Sequence, residues 1–435
     1  LFVFVSALSA EEIKGDKTAG KTNARMLAKS GMADDGPTST FFNINSWKIQ
    51  MEHQGFFQWN GTSHGSAGNY PKGMGSVIFA EGILWGVKAS DKYGVDGTTG
   101  EILTDGSGSG LPRVRVNGSM YNTGLKAGKV LRDANGRIKS KDYSENYRDQ
   151  QIWRVRKDWN TGDLTVDASI LRDIGVSDVT EAMIAADKAQ YEHDWNHWPV
   201  AEGAPYDDVD GDGVYTPGTW SAENNAWVGD IPGIPGSDQT VWTVANDLPD
   251  EYAEGGVVSV SEGGWGSPPV GFEMQLTLWG YDFPFSNPIS SMMFKRARMI
   301  YVGLPGGPAD AKLDTVYFTQ WSDPDLGTYT DDYVGCDTTL SLGYVYNGNT
   351  FDDQFLSSFG SPVPAGGYDF LEGPKVDTNG DGVLDTLGMT SFVYFAAGSS
   401  VSDPSTRVYS GTLQWFNLME GYLPRPESVS YTHLR

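Results

Sequence analysis

The chain has 435 residues and a formal net charge of −25, because 31 basic residues are set against 56 acidic ones. Such an acidic chain repels nucleic acids and anionic membrane surfaces, so we expect no nucleic-acid partner. No segment after the N-terminus approaches the ~20 consecutive apolar residues of a membrane-spanning helix, so we expect no membrane span. The length suits two or three domains, or one large β domain with long loops.

Glycine is abundant (55 residues), aromatic residues reach 12%, and long stretches of helical periodicity are scarce. This composition favours short strands joined by elaborate turns. We predict a mainly β fold with multi-stranded antiparallel sheets in a sandwich-like arrangement, long calcium-type loops and one short helix.

Residues 1–10 form an apolar run that ends in Ala-Leu-Ser-Ala, before Glu11 and Glu12. This pattern is typical of the end of a signal peptide and predicts an exported protein, extracellular or at the cell surface. The alternative is an ordinary buried strand.

Residues 11–40 are poor in large apolar side chains and predict a flexible leader. Cys336 is the single cysteine, so stability must come from the core and from bound metal, without an internal disulfide.

Residues 41–175 contain short alternating runs separated by glycine- or asparagine-rich turns, which predict an N-terminal β-rich region. Near its end, residues 152–156 predict a half-buried strand whose basic side chains, Arg154 and Arg156, face outward. Residues 176–427 predict a helix at about 177–196, followed by a larger β-rich region that carries the calcium-type loops.

The first calcium-type loop has carboxylates at alternate positions, Asp208, Asp210 and Asp212, followed by a glycine. Calcium takes six to eight oxygen ligands, and positions 1, 3 and 5 of such a loop supply them while a glycine at position 6 allows the sharp turn. The backbone carbonyl of Val214 would serve position 7. Position 12 is a threonine instead of the glutamate of an EF-hand, so other ligands must complete the site, with Asp207 or Glu223 as local candidates. A solvated turn is the alternative.

The second loop has oxygen ligands at the same spacing, from Asp377, Asn379 and Asp381, with the Val383 carbonyl at position 7 and Asp385 at position 9. It resembles the helix-free calcium loops of dockerin-like and thrombospondin-type repeats. We therefore expect calcium as the cofactor at both loops.

Two further groups have competing interpretations. Five aspartates lie between Asp323 and Asp337, where they could form a third metal site, a carboxylate pair for glycoside hydrolysis, or simple turn caps. His193 and His197 are spaced as in a zincin helix, but Asp194 replaces the glutamate and the helix ends at Pro199, so packing is favoured over zinc.

Exposed tryptophans could stack on sugars, and the candidates are Trp47, Trp59, Trp85, Trp265 and Trp279. Aromatic residues also dominate β cores, so a single sequence leaves both interpretations open.

Several stretches carry a resemblance to large secreted proteins of bacteria that use type IX secretion, namely residues 47–52, 70–73, 116–124, 214–218, 321–327 and 331–340. The resemblance covers most of residues 41–420 and implies a surface protein followed by a C-terminal sorting domain. Residues 428–435 resemble a translated sequencing adapter and are predicted to be an artefact.

The leading hypothesis is therefore a structural or adhesive surface protein with bound calcium and no inferred catalytic activity. The alternative is a polysaccharide-active enzyme or a carbohydrate-binding module. Glycans or other surface proteins are the expected partners besides calcium ions.

Overall fold

The structure is a computed structural model that describes residues 2–8, 37–58, 66–89, 114–121, 123–131, 151–248, 267, 269–304, 313–376, 379, 381–396 and 403–422. In this part of the chain the fold is mainly β, with several antiparallel sheets and few helices, as the composition predicted. The predicted leader at residues 11–40 lies outside the described residues except for 37–40, and the predicted artefact at 428–435 lies outside them entirely.

The described strands, in chain order, are β1 (Phe2–Leu8), β2 (Ser39–Phe42), β3 (Lys48–Glu52), β4 (Phe57–Gln58), β5 (Gly68–Asn69), β6 (Ser76–Ile78), β7 (Ala80–Ala89), β8 (Val114–Gly118), β9 (Lys126–Ala127), β10 (Trp153–Arg156), β11 (Tyr206–Asp207), β12 (Thr219–Ser221), β13 (Ala226–Val228), β14 (Ile231–Pro232), β15 (Gln239–Asn246), β16 (Phe272–Gly280), β17 (Phe294–Tyr301), β18 (Leu313–Asp323), β19 (Asp332–Asp337), β20 (Leu342–Asn347), β21 (Gly366–Asp369), β22 (Lys375–Val376), β23 (Asp385–Thr386) and β24 (Met389–Ala396).

Two large sheets organise the molecule. The first has the order β24-β1-β18-β7-β4, with β8 also paired to β7. The second has the order β10-β15-β16-β17, with β9 paired to β15, and all its pairs are antiparallel. Strands β9 and β10 come from the predicted N-terminal region and β15 to β17 from the region after it, so the two regions share one sheet.

The N-terminal apolar run forms strand β1, which lies between β18 and β24 and pairs with both in parallel. These are the only parallel ladders among the described strands, since the other pairs of the first sheet are antiparallel. The structure therefore gives residues 2–8 the role of a sheet strand, which was the alternative interpretation of the apolar run. That the run is removed as a signal peptide stays a prediction.

The main hydrophobic core lies between the two large sheets. The ring of Trp85 on β7 meets that of Phe272 on β16 edge-on at 5.9 Å, and Phe272 meets Phe318 on β18 at 5.6 Å. An ion pair also joins the sheets, from Lys295 Nζ to the buried Glu81 Oε1 at 2.6 Å. Face-to-face packing of this kind gives the predicted sandwich-like arrangement.

Four α-helices occur in the described residues, which is more than the single short helix predicted. They are α1 (Thr165–Arg172), α2 (Glu181–Asn196), α3 (Asp353–Phe359) and α4 (Tyr409–Met419). The predicted helix corresponds to α2, which the side chain of Thr180 caps by accepting from the Met183 amide. The other three have at most 11 residues, and short helices carry little periodicity because tertiary packing stabilises them. Helix α4 packs through Trp415 and Phe416 in a second core cluster beside the first sheet.

The predicted strand at residues 152–156 forms as β10, but the expectation that its basic side chains face outward was wrong. Arg154 faces inward, and Arg156 also forms an ion pair with the buried Asp167, at 3.3 Å. Arg154 is only 5% exposed, because Asp167 and Asn43 provide acceptors for its guanidinium in the interior. The guanidinium forms an ion pair with the buried Asp167 of α1 and donates to Asn43 Oδ1 at 2.7 Å. A buried charge is tolerated when it is paired and hydrogen-bonded in this way.

The Arg154–Asp167 pair is the centre of a wider polar network. Asn43 Nδ2 donates to Asp167 Oδ1 at 2.8 Å, and the Tyr191 hydroxyl of α2 donates to Asp167 Oδ2 at 2.9 Å. Gln239 of β15 accepts from the Asn43 amide at 2.9 Å. Burial opposes ionisation of Asp167, but Arg154, Arg156 and these hydrogen bonds outweigh it and lower the pKa of Asp167 to about 2. The network thus joins β10, β15, α1, α2 and the segment that follows β2.

We expect Asp167→Asn to lower the free energy of unfolding by about 3–5 kcal/mol, because it leaves the Arg154 charge buried without its counter-ion. Tyr191→Phe, which removes a single hydrogen bond, should cost only about 1 kcal/mol. Urea unfolding at neutral pH measures both. Glu192→Gln changes an exposed residue of the same helix and serves as the control, with an effect within about 0.5 kcal/mol. Equal stability of the Asp167→Asn variant and the parent would contradict this account of the network.

Candidate metal centre

The first predicted loop brings its three carboxylates together. Asp208, Asp210 and Asp212 each offer an oxygen within 4.8 Å of the others. In the described part of the chain, no other group of three His, Cys, Asp or Glu side chains converges so closely. The alternate spacing therefore predicted a real juxtaposition of oxygen ligands.

The loop backbone holds these side chains in place through its own amides. Asp208 accepts from the amides of Gly211 at 2.8 Å and Gly213 at 2.9 Å through its two oxygens. Asp212 Oδ1 accepts from the Val214 amide at 2.7 Å. Gly213, at loop position 6, has φ of 75°, a left-handed conformation that glycine adopts without strain. The glycine thus has the role that the spacing predicted.

A buried carboxylate that sequence reasoning missed anchors the loop. Asp230 is 1% exposed, and it accepts from the Val209 amide at 3.0 Å and from the Thr216 amide at 2.7 Å. Its own carbonyl accepts from the Gly218 amide at 2.8 Å. These bonds fix both ends of the loop. Asp230 lies 18 residues beyond Asp212, and no local spacing rule connects the two.

The two local candidates for extra ligands lie outside the converging group. Asp207 belongs to β11, where it pairs with Ile231 of β14. Glu223 lies in the turn between β12 and β13 and is exposed. Neither joins the cluster of Asp208, Asp210 and Asp212.

The loop also rests on a cluster of aromatic side chains. The Tyr215 hydroxyl donates to the Trp195 carbonyl at 2.5 Å, and Trp195 Nε1 donates to the Gly218 carbonyl at 2.9 Å. The indoles of Trp195 and Trp227 stack at 4.1 Å. Burial, and to a lesser extent the Asp230 carboxylate, raises the pKa of Tyr215. The loop is therefore coupled to helix α2 through buried indole rings.

The second predicted loop shows the same turn pattern where it is described. Asn379 Oδ1 accepts from the Asp381 amide at 2.9 Å, and Asp381 Oδ1 accepts from the Val383 amide at 2.7 Å. The first loop has equivalent bonds from Asp210 and Asp212. Strands β22 and β23 close the loop, with Asp385 paired to Val376. Asp377, the predicted first ligand, lies outside the described residues.

The acidic cluster between Asp323 and Asp337 is dispersed among several turns. Asp323 accepts from the Tyr121 hydroxyl at 2.9 Å, and Asp331 accepts from Asn349 Nδ2 at 2.6 Å. Asp332 accepts from the Leu326 amide at 2.8 Å, and Asp337 accepts from the Thr339 amide at 2.9 Å. These bonds favour the turn-capping interpretation over a third metal site.

Two carboxyls in this cluster have strongly perturbed acidity. Burial raises the pKa of Asp325 to about 7. Burial also raises the pKa of Asp332 to about 7, with further contributions from Asp325, Asp331 and Asp352. Near pH 7 the carboxyls of Asp325 and Asp332 are therefore partly protonated.

The histidine pair of α2 is occupied by packing. The rings of His193 and His197 stack at 4.6 Å, and His193 stacks on Trp153 at 5.9 Å. His197 Nδ1 lies 2.9 Å from the His193 carbonyl oxygen. No third metal ligand joins them within the described residues, which favours the packing interpretation.

The described tryptophans that were proposed to stack on sugars are buried or half-buried. Trp85 is buried, and Trp47 and Trp279 are half-buried. Trp59 and Trp265 lie outside the described residues. Among the tryptophans that the structure describes, none is exposed, which counts against a sugar-binding face built on them.

Comparison of the chain with protein-family models, with curated proteins and with solved structures gave no match. None of the helices in the described residues is long and apolar enough to cross a membrane. The function therefore has to be argued from the site itself.

We expect the wild type to lose stability relative to Asp332→Asn as the pH rises from 5 to 8. A carboxyl whose pKa is about 7 in the folded state and ~3.9 in the unfolded state binds more protons when folded, so its stabilising effect is lost as pH rises through 7. The relative change should be at least about 1.4 kcal/mol, which corresponds to one pKa unit.

Urea unfolding in EDTA at both pH values measures this change. Asp353→Asn alters an exposed neighbouring acid, and its free energy of unfolding should change with pH as that of the wild type does. If the free energy of unfolding of Asp332→Asn showed the same pH dependence as the wild type, the raised pKa of Asp332 would be wrong.

Proposed function

We propose that this chain is a calcium-binding, β-rich protein of the cell surface or extracellular space, with a structural or adhesive role. The observation that supports this best is the convergence of Asp208, Asp210 and Asp212 on one point of an exposed loop. Calcium is a hard cation that prefers carboxylate and carbonyl oxygens. The net charge of −25 adds a general attraction for cations.

The donor set suits calcium better than the transition metals. Three carboxylates supply oxygen only, and the Val214 carbonyl would add a fourth oxygen ligand, whereas zinc and copper favour nitrogen or sulfur. Position 12 is Thr219, so the bidentate glutamate of an EF-hand is missing and water would fill the remaining positions. Sites with fewer protein ligands bind weakly, and we expect a Kd of about 10⁻⁴–10⁻³ M, as in extracellular calcium modules.

The second loop would hold a second ion. Asp377, Asn379, Asp381, the Val383 carbonyl and Asp385 are its proposed ligands, and the two turns described there repeat those of the first loop. This site has one fewer carboxylate at positions 1, 3 and 5, because Asn379 replaces an aspartate.

The proposed role of the ion is to stabilise the surface loops. At the first site it would neutralise three adjacent carboxylates in a loop anchored by Asp230 and joined to α2 through Tyr215. Export is proposed on the signal-peptide pattern of residues 1–10 alone. Because the chain has a single cysteine, bound metal rather than an internal disulfide would secure the long loops.

We expect calcium to raise the melting temperature of the full chain above its value in EDTA by a few degrees. A ligand at free concentration c that is bound only by the folded state stabilises it by RT ln(1 + c/Kd), which is about 1.4 kcal/mol per site at ten times its Kd. Magnesium should give a smaller shift, because it demands octahedral geometry and dehydrates reluctantly. Differential scanning fluorimetry in millimolar calcium, magnesium or EDTA measures the shifts.

The double variant Asp210→Asn/Asp212→Asn should lose most of the calcium-induced shift, whereas Glu192→Gln, with an exposed acid on α2, should retain it. If the wild type melted at the same temperature in calcium and in EDTA, the proposed calcium binding would be refuted.

We expect Asp381→Ala to reduce the calcium stoichiometry from about two ions to about one, if each loop binds one ion. Isothermal titration calorimetry measures the stoichiometry. Tryptophan fluorescence provides an independent signal, because the first loop contacts Trp195 directly. The fluorescence change on calcium binding should persist in Asp381→Ala and vanish in Asp210→Asn/Asp212→Asn. Unchanged stoichiometry in Asp381→Ala would rule out the second site and leave the first intact.

A further inference from the structure

A small sheet formed by β19, β20 and β21 has one face toward the core and one toward solvent. Val345 is buried and Val334 and Tyr368 pack against the main core. Because side chains alternate along a strand, the neighbouring residues occupy the opposite face. That outer face carries Tyr333, Tyr344 and Tyr346, which are 58%, 39% and 45% exposed. We call these three residues the tyrosine platform.

Glycines on the sheet leave space for the rings of the platform to lie flat. A Cβ atom at Gly335 would stand 2.6 Å from Cζ of Tyr344, and one at Gly348 would stand 2.2 Å from Cε2 of Tyr333. Both distances are shorter than the contacts that Cβ atoms make in proteins, so the two rings occupy space that the glycines leave open.

The rings are arranged as a continuous surface. Tyr333 and Tyr346 are cross-strand partners, with centroids 5.9 Å apart and planes 24° apart. Tyr344 and Tyr346 have centroids 6.2 Å apart and planes 34° apart. The three rings therefore form one contiguous aromatic group on the solvent side of the sheet. Contiguous exposed apolar surface is a mark of a binding site.

The charges around the platform restrict the ligand. Between Lys312 and Lys375 the sequence has ten acidic residues and no lysine, arginine or histidine. This local excess of acidic residues disfavours phosphate, sulfate and carboxylate polymers, so we infer that the occupant is not an anionic polymer.

The polar groups beside the platform are those that recognise hydroxyl groups. Asp337 and Asp369 alternate onto the same face as the tyrosines, through their pairing with Leu342. Asp331 and Asn349 form a hydrogen-bonded pair in the exposed turns next to Tyr333. Carboxylates accept hydrogen bonds from hydroxyl groups, and amides both donate and accept. Aromatic faces with such a rim match a pyranose ring, whose apolar C–H face stacks while its hydroxyl groups point outward.

We propose that the tyrosine platform binds an uncharged oligosaccharide, with the rings of Tyr333, Tyr344 and Tyr346 stacking on neighbouring sugar residues of one chain. This inference does not depend on calcium binding. It assigns the sugar contact to tyrosines at the sheet surface, separate from the tryptophans of the interior.

Affinity electrophoresis of the full chain tests the proposal. Native gels would contain a neutral polysaccharide (hydroxyethylcellulose, xyloglucan, galactomannan or a β-1,3-glucan), and calorimetry with a matching oligosaccharide would follow. We expect retardation by at least one neutral polysaccharide. Tyr344→Ala and Tyr346→Ala should each weaken binding about tenfold, which corresponds to about 1.4 kcal/mol. Tyr346→Phe should bind within about twofold of the wild type, because it keeps the stacking ring.

Two controls separate stacking from folding. Tyr394 is a tyrosine of β24 with 56% exposure, and Tyr394→Ala should leave binding unchanged. Melting temperatures of all variants show whether the sheet still folds, and Tyr346→Phe remains informative if an alanine variant does not. The proposal is overturned if no neutral polysaccharide retards the protein, if the alanine variants bind as the wild type does, or if oligolysine binds in preference, which would indicate a cation–π site.

Discussion

The buried ion pair between Arg154 and Asp167 is the interaction on which the architecture around the candidate metal loop depends. It joins a strand of the second sheet to helix α1, and Tyr191 and Gln239 extend it to α2 and β15. A pair removed from water is stabilising only when its remaining hydrogen-bonding groups are satisfied, and here Asn43 contributes both a donor and an acceptor. Helix α2, positioned in this way, then supplies the Trp195 contacts that support the loop at Asp208 to Val214.

The candidate sites differ in what stabilises them before any ligand binds. In the candidate metal loop, backbone amides and Asp230 hold three like charges in one turn. At the tyrosine platform, Gly335 and Gly348 leave room for neutral rings. Groups that the protein positions before a ligand arrives reduce the entropy cost of binding.

Sequence reasoning succeeded where the signal was local. Alternating aspartates with a following glycine predicted the convergence at Asp208, and a capped apolar segment predicted helix α2. It failed where the deciding partner was distant along the chain. Arg154 was expected to face solvent because nothing near it revealed Asp167 and Asn43, and Asp230 gave no sign that it would anchor the loop. The tyrosine platform was missed because the alternation of Tyr344 and Tyr346 is ordinary for a strand, and only the ring positions over Gly335 and Gly348 distinguish it.

Strand β1 imposes an order of assembly on the first sheet. Its partners are β18, where Phe2 pairs with Phe318, and β24, where Val5 pairs with Val393. Neither partner exists until most of the chain has been synthesised, so the strand at the N-terminus is among the last to be enclosed. Pairings of such sequence separation form slowly because a long loop must close first. Strand β1 thus keeps both edges unpaired until β18 and β24 have been synthesised, and unpaired strand edges of this kind can pair with other chains.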